Sequence, residues 1–197
     1  MTNETTAPLG NLLRPACVLA LIGLLGFGLS YSLVSTGIGN SLFPQQASGS
    51  IIERNGTIIG SAWVAQPFAS PGYFRARPSA AGYDPMAMAG SNQARSNPAM
   101  RQRIDEQRAV TAGQEGVDPH AVPGDLLTQS GSGMDPHISP EAAQIQVARV
   151  ARERGMPQSQ VQTFVATYTE GPKWGLFGQP RVNVLRLNLA LDDARSR

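Results

Sequence analysis

The sequence predicts an α+β domain carried on one N-terminal transmembrane helix. Three features lead there: an uncharged apolar run over residues 16–36, two β-branched runs around Asn55-Gly56, and two helical periods that follow a Ser139-Pro140 start signal. The elements do not alternate as repeated βαβ units, which argues against a parallel sheet wrapped in helices.

The anchor decides how everything after it is read. At about 1.5 Å per residue the 16–36 run is roughly 30 Å long, the thickness of a hydrocarbon core. A cleaved signal peptide is the poorer reading, because its apolar region is shorter and Ser35-Thr36-Gly37 offers no Ala-x-Ala-like cleavage site. Cys17 follows Arg14-Pro15 rather than an apolar stretch, so it reads as a small apolar residue within the span. Arg14 and the terminal amine, partly offset by Glu4, flank the N-terminal side, and no charge follows until Glu53. The positive-inside rule then gives a cytoplasmic tail over 1–14, a transmembrane helix over 15–36 and an extracytoplasmic domain over 37–197. Gly23, Gly26 and Gly28, with Ser30 and Ser32, supply small residues that would let another helix approach closely. Glycine is also common in membrane helices generally, and the sequence leaves both readings open.

Composition narrows the function. The 197 residues carry 16 basic and 14 acidic side chains, for a net charge of +2, and the basic residues are scattered. Nucleic-acid binding is not indicated. With one cysteine in the chain, a disulfide framework and a cysteine-based zinc site are excluded.

Within the domain, residues 49–61 read as a β-hairpin, because Asn-Gly supplies the positive φ values of a tight turn. Residues 69–98 show no sustained period and are rich in Pro, Gly, Ser and Asn, which predicts a long irregular loop. Asn97-Pro98 is a cap and first-turn pair opening a polar helix to about Val110, with a second loop over 111–122. Ser139-Pro140-Glu141 begins the best helix signature, ended by Arg149, Arg152, Arg154 and then Gly155. Its apolar face is Ala143, Val147, Val150 and Ala151. After Met156-Pro157, a second helix places Val161, Phe164, Val165 and Tyr168 on one stripe. Residues 182–191 alternate as a strand, but the phase shifts between Val184 and Leu185, which requires a bulge or a change from strand to helix.

The densest polar segment, residues 125–140, has the residue types of a hydrolase: Ser130 or Ser132 as nucleophile, His137 as base and Asp135 as orienting acid. Its arrangement argues otherwise. Asp135 and His137 flank a proline that restricts how they turn towards each other, and no Gly-x-Ser-x-Gly elbow is followed by Asp and then His. Turn formation and capping by Ser139 account for the same residues. Asp118-Pro119-His120 echoes Asp135-Pro136-His137, and the two contain both histidines, but nothing else supplies metal-ligand spacing. A Gly-x-x-x-x-Gly-Lys phosphate loop is absent from the sequence.

Taken in order, Phe43-Pro44-Gln45-Gln46-Ala47, Gly49-Ser50, Tyr73-Phe74, Arg77-Pro78-Ser79-Ala80, Gly90-Ser91-Asn92, the run from Ser130-Gly131-Ser132-Gly133-Met134 through Asp135-Pro136-His137-Ile138-Ser139-Pro140, and Val182-Asn183-Val184-Leu185 form a pattern. It resembles the C subunit of the Kdp-type potassium-transporting P-type ATPase, over about residues 14–191. Met134 stands where that family commonly has Leu, and Ala94 where a Gly often follows the Gly-Ser-Asn element.

The resemblance implies a non-catalytic accessory subunit of the inner membrane. Its partners would be a potassium-selecting, channel-like subunit and an ATP-hydrolysing P-type subunit, besides membrane lipid. The family is described as a catalytic chaperone that raises the ATP affinity of the hydrolysing subunit, with ATP and potassium handled by the complex and no cofactor held by a recognisable motif in this chain. It makes Arg77, Pro78, Ser79, Asn92, Ser130, Gly131, Ser132, Gly133, Asp135, His137 and Ser139 candidate partner contacts, and Gly23 and Gly26 a helix-docking face. ATP is cytoplasmic whereas the charge pattern puts the domain outside. Assembly and long-range coupling through the anchor, with cover over the potassium entrance, therefore fit better than direct nucleotide contact by the domain.

Overall fold

The computed structural model describes residues 9–195. Glu4 and the N-terminal amine, which enter the orientation argument, lie outside the described residues. The chain divides into two compact units after Ser50.

The first unit is one long helix in three stretches, α1 (Leu9–Leu21), a π-helical stretch (Ile22–Leu29) and α2 (Ser30–Leu42), followed by the short α3 (Pro44–Ala47). The stretch Leu12–Leu42 is long and apolar enough to cross a membrane. Its 31 residues extend about 46 Å, well beyond the hydrocarbon thickness. The apolar run marks the part suited to lipid, whereas the backbone ladder continues past Thr36 until Phe43. There φ reaches −136°, as expected of a residue held out of the helical region by the proline that follows it. The π-helical stretch carries Gly23, Gly26 and Gly28, and it closes where Ser30 N–H donates to the Leu25 carbonyl five residues back.

The second unit begins with the hairpin β1 (Ile51–Arg54) and β2 (Thr57–Ser61), paired from Ile51–Ser61 to Arg54–Thr57. Asn55 (φ 52°) and Gly56 (φ 75°) make the turn as the sequence predicts. A register shift after Ile52 places Ile59 as the extra residue of a bulge. Residues 62–97 contain a single 3₁₀ turn, Pro85–Ala87, and are otherwise irregular, so the loop expected over 69–98 begins directly after β2.

The helix α4 (Pro98–Glu115) is capped by Asn97, whose side chain accepts from Ala99 N–H. It runs five residues beyond the expected end at Val110, so the second loop begins only at Gly116. Thr111, Ala112 and Glu115 are the buried positions that hold this last turn, and Gly116 ends it in the left-handed conformation at φ 68°.

Ser139, Pro140 and Gly155 bound α5 (Pro140–Arg154) as predicted. The Ser139 side chain accepts from Ala142 N–H, and Gly155 sits at φ 65°. Ala143, Val147, Val150 and Ala151 are all buried. Arg149, one of the three bases the sequence places towards the end of this helix, is turned inward with 3 % exposure. In α6 (Gln158–Thr167), Val161 and Val165 are buried while Phe164 and Tyr168 pack partly against the core.

The phase shift near Val184 is a change from strand to helix: β5 (Arg181–Asn183) passes directly into α7 (Val184–Arg195). Strand β5 is the middle of a small antiparallel sheet of order β3-β5-β4, flanked by β3 (His137–Ile138) and β4 (Thr169–Glu170). The core lies where α5, α6 and α7 meet this sheet, around Val147, Val150, Val161, Val182, Leu187 and Leu191. The architecture is α+β, as expected.

Candidate functional site

Most of the residues singled out by their motif pattern meet at one place, where residues 77–92 cross residues 128–139. The crossing is a backbone-to-backbone contact. A Cβ on Gly90 would lie 2.7 Å from the Gly131 carbonyl oxygen, and one on Gly133 would lie 2.7 Å from that of Ala89. Gly133 also sits at φ 74°, so both conformation and space require glycine there.

Ser79 joins the two segments. Its hydroxyl donates to the Gly133 carbonyl and accepts from Ala81 N–H at 3.1 Å and Tyr83 N–H at 3.0 Å. Ser130 N–H donates to the Pro78 carbonyl at 3.1 Å. The Tyr83 hydroxyl donates to the Arg77 carbonyl at 2.8 Å, and burial pushes the phenol above its ordinary pKa.

Asp135 is the polar centre. Its Oδ2 accepts from Arg77 Nη1 at 3.1 Å. Its Oδ1 accepts from His137 N–H at 3.0 Å and lies 3.5 Å from His137 Nδ1. The intervening proline therefore does not hold the two apart: the chain makes an Asx turn across Pro136 that brings the imidazole back over the carboxylate. Burial raises the Asp135 pKa, but the hydrogen bonds from His137 and then Arg77 outweigh it and hold the carboxyl below its usual value. His137 also rests against Trp63, with ring centroids 5.9 Å apart. Asp118 makes the same turn, accepting from His120 N–H at 2.7 Å.

Ser139 is held by Asp125, which accepts from its N–H at 2.7 Å and its hydroxyl at 3.2 Å. Arg77, Asp125, Asp135, His137 and Ser139, with Arg181 across from them, line one open groove.

Exposure sorts the candidates. Asn92 (φ 51°), Gly131 and Ser132 are exposed, and Arg77, Pro78, Ser79, Asp135, His137 and Ser139 are half-buried. Ser130 and Gly133 are buried and present only the shape of their loop to the outside. The Ser132 hydroxyl accepts from Met134 N–H at 3.1 Å, and Ser130 has 2 % exposure. Among the described residues, no hydrogen bond joins either serine to His137. Nor do three or more His, Cys, Asp or Glu gather to hold a metal among the described residues. In the first unit, a Cβ on Gly23 would meet nothing within 4 Å, and one on Gly26 would meet only Ile22 Cγ2 at 3.8 Å.

Sequence reasoning missed the groups that hold the 71–75 segment, which leads into this crossing. Asn188 pairs with both backbone groups of Phe74, and Gln146 does the same for Arg75, at 2.8 and 3.3 Å. Arg149 donates to the Pro71 and Tyr73 carbonyls and forms a buried pair with Glu115 at 2.9 Å. A visible signal existed in the polar Asn188 between Leu187 and Leu189, and in Arg149 between Val147 and Val150.

Fold and crossing together define a class: an α+β domain on a single apolar helix of membrane-crossing length. The chain belongs to the KdpC family, whose model, described as the c chain of the K+-transporting ATPase, matches residues 13–193. It is 57% identical over 193 residues to a potassium-transporting ATPase KdpC subunit of Xanthomonas campestris pv. campestris (strain B100), covering 97% of this chain and 92% of the relative. Similar relatives bearing the same name occur in Shewanella putrefaciens (53% identical, 84% of this chain, 83% of the relative) and Sorangium cellulosum (52%, 93% and 98%). The resemblance carried by the sequence motifs is thus shown over nearly the whole chain.

Proposed function

We propose that this protein is a non-catalytic accessory subunit of a high-affinity, ATP-driven potassium uptake complex. It is needed for assembly, and it acts as a catalytic chaperone that raises the ATP affinity of the ATP-hydrolysing subunit. The observation that carries this reading is the family match across residues 13–193, anchor included. Its partners are that subunit and the potassium-selecting, channel-like subunit, whose entrance the domain covers.

The geometry supports a contact surface rather than a reaction centre. Asp135 is engaged by Arg77 and His137, Ser79 by Gly133, and Ser139 by Asp125. These bonds fix the shape of two crossed loops, which suits recognition by a partner. Arg14 before the apolar stretch, and no charge after it until Glu53, favour a cytoplasmic N-terminus and an extracytoplasmic domain in the inner membrane. The influence on ATP affinity then passes through the anchor, as a coupling between two states of the partner that contact this subunit differently.

Deletion of the protein tests the reading. Growth at very low external potassium should be lost and restored by the full chain, and the purified complex without it should need more ATP for half-maximal hydrolysis. Undiminished potassium uptake in the deletion strain would overturn the proposal.

A further inference from the structure

Between β4 and β5 the chain makes a second tight reversal. Lys173 N–H donates to the Phe177 carbonyl at 2.8 Å, Phe177 N–H returns to the Lys173 carbonyl at 3.0 Å, and Trp174 and Gly175 take φ of 54° and 73°. The reversal carries apolar side chains outward. Trp174, Leu176 and Phe177 are 87%, 80% and 64% exposed, and the Trp174 and Phe177 rings pack edge to face at 6.1 Å. The charge here is one-sided: Lys173 is the only ionisable residue over 171–180. Below the tip, Glu170 is paired with Arg181 at 3.1 Å.

A tryptophan with two apolar neighbours and one cation is the composition of a membrane-interface anchor. A stable protein interface buries about 800 Å² on each side, far more than three side chains on a tip provide, whereas a lipid surface needs no complementary shape. The start of the domain is also tethered close to a lipid surface. Only residues 43–50 separate the apolar helix from β1, and fully extended they span at most roughly 30 Å.

We infer that the 173–177 tip is a lipid-binding site: Trp174, Leu176 and Phe177 enter the headgroup region of an anionic bilayer, and Lys173 meets the lipid phosphates. The inference rests on the reading that the N-terminal helix crosses that bilayer.

The test uses the full chain with Trp63→Phe, which leaves Trp174 as the only tryptophan of the two, in nanodiscs of phosphatidylcholine and phosphatidylglycerol. Lipids brominated high on the acyl chain should quench Trp174 emission at least about twofold and shift it to the blue. Lys173→Glu should weaken the quenching, with circular dichroism unchanged. An emission typical of water-exposed indole, unaffected by brominated lipid and open to aqueous iodide, would overturn the inference. Protection that develops only after the other subunits of the complex are added would overturn it too, and would assign the tip to a protein partner. Resistance of the same sample to alkaline carbonate extraction reports separately on the helix, so failure of the anchor and failure of the tip are distinguishable.

Discussion

Asn188 holds the backbone of Phe74 by both halves of its amide: Nδ2 donates to the Phe74 carbonyl at 2.9 Å, and Phe74 N–H donates to Oδ1 at 2.8 Å. Phe74 is fully buried in a segment with no sheet or helix to satisfy its polar groups, so α7 supplies through one side chain what a neighbouring strand would supply through its backbone. Asn188→Leu leaves an N–H and a carbonyl unpaired in the core. It should cost about 2–4 kcal/mol, measured by urea unfolding of the full chain. A loss well under 1 kcal/mol would mean that water replaces the amide.

Arg149 and Glu115 extend the same support, with side chains only 4% and 2% exposed. Removing one partner strands a buried charge. Glu115→Ala should therefore destabilise the domain by about 3–5 kcal/mol, and thermal unfolding is the measurement. Since Arg149 also donates to the Pro71 and Tyr73 carbonyls, Glu115→Ala should additionally expose residues 71–75 to proteolysis. An undisturbed cleavage pattern would show that the carbonyls alone hold the arginine.

These contacts mark the boundary of what the sequence could disclose. The hairpin turn at Asn55-Gly56, the cap at Ser139 and the stop at Gly155 were legible because each depends on neighbours in the chain. The sheet was not: β3, β4 and β5 are two or three residues long, too short for alternation to register. Helix α7 was hidden for a different reason. Leu185, Leu187, Leu189 and Leu191 recur at every second position, so the period of a strand masks Val184, Leu187 and Leu191, which are buried at helical spacing. Of the candidate site, the motif segments were readable, but their crossing was not. It depends on Ser79 reaching Gly133 and on two glycines allowing backbones to touch, and neither leaves a periodic trace.

Asp135 gives the site a pH dependence. Its folded pKa is depressed, so the stability it contributes is fully present above the ordinary carboxylate value near about 4 and is lost as pH falls through the lower folded value. Asp135→Asn removes the charge while leaving an oxygen for His137 N–H. Urea midpoints measured from about pH 6 down to about pH 2 should then fall less steeply for the variant than for the native protein. Parallel curves would mean that Arg77 and His137 do not hold the carboxylate in solution.

Gly133 tests whether the crossing serves the complex or only the fold. Alanine there meets a left-handed backbone, costing about 1–2 kcal/mol, and places Cβ 2.7 Å from the Ala89 carbonyl oxygen. Gly133→Ala should shift residues 89–91 away from the 130–133 loop. If the crossed loops are the contact surface, the folded variant should copurify poorly with its partner subunits. Normal recovery of the complex would leave the crossing with a structural role alone.

Gly23 and Gly26 lead to a cleaner experiment, because within the chain a side chain at either position is nearly free of consequence. A Cβ at Gly23 meets nothing within 4 Å, and one at Gly26 only touches Ile22 at 3.8 Å. Leucine at both positions should also favour helix and lipid alike, so insertion and folding should be unimpaired. Loss of the complex would then report on something outside the chain, a partner helix approaching where only glycine leaves room. Copurification of Gly23→Leu/Gly26→Leu with the other subunits is therefore expected to fall several-fold at unchanged membrane insertion. Recovery equal to that of the native chain would reduce the helix to a tether and leave the contacts with other subunits to the domain.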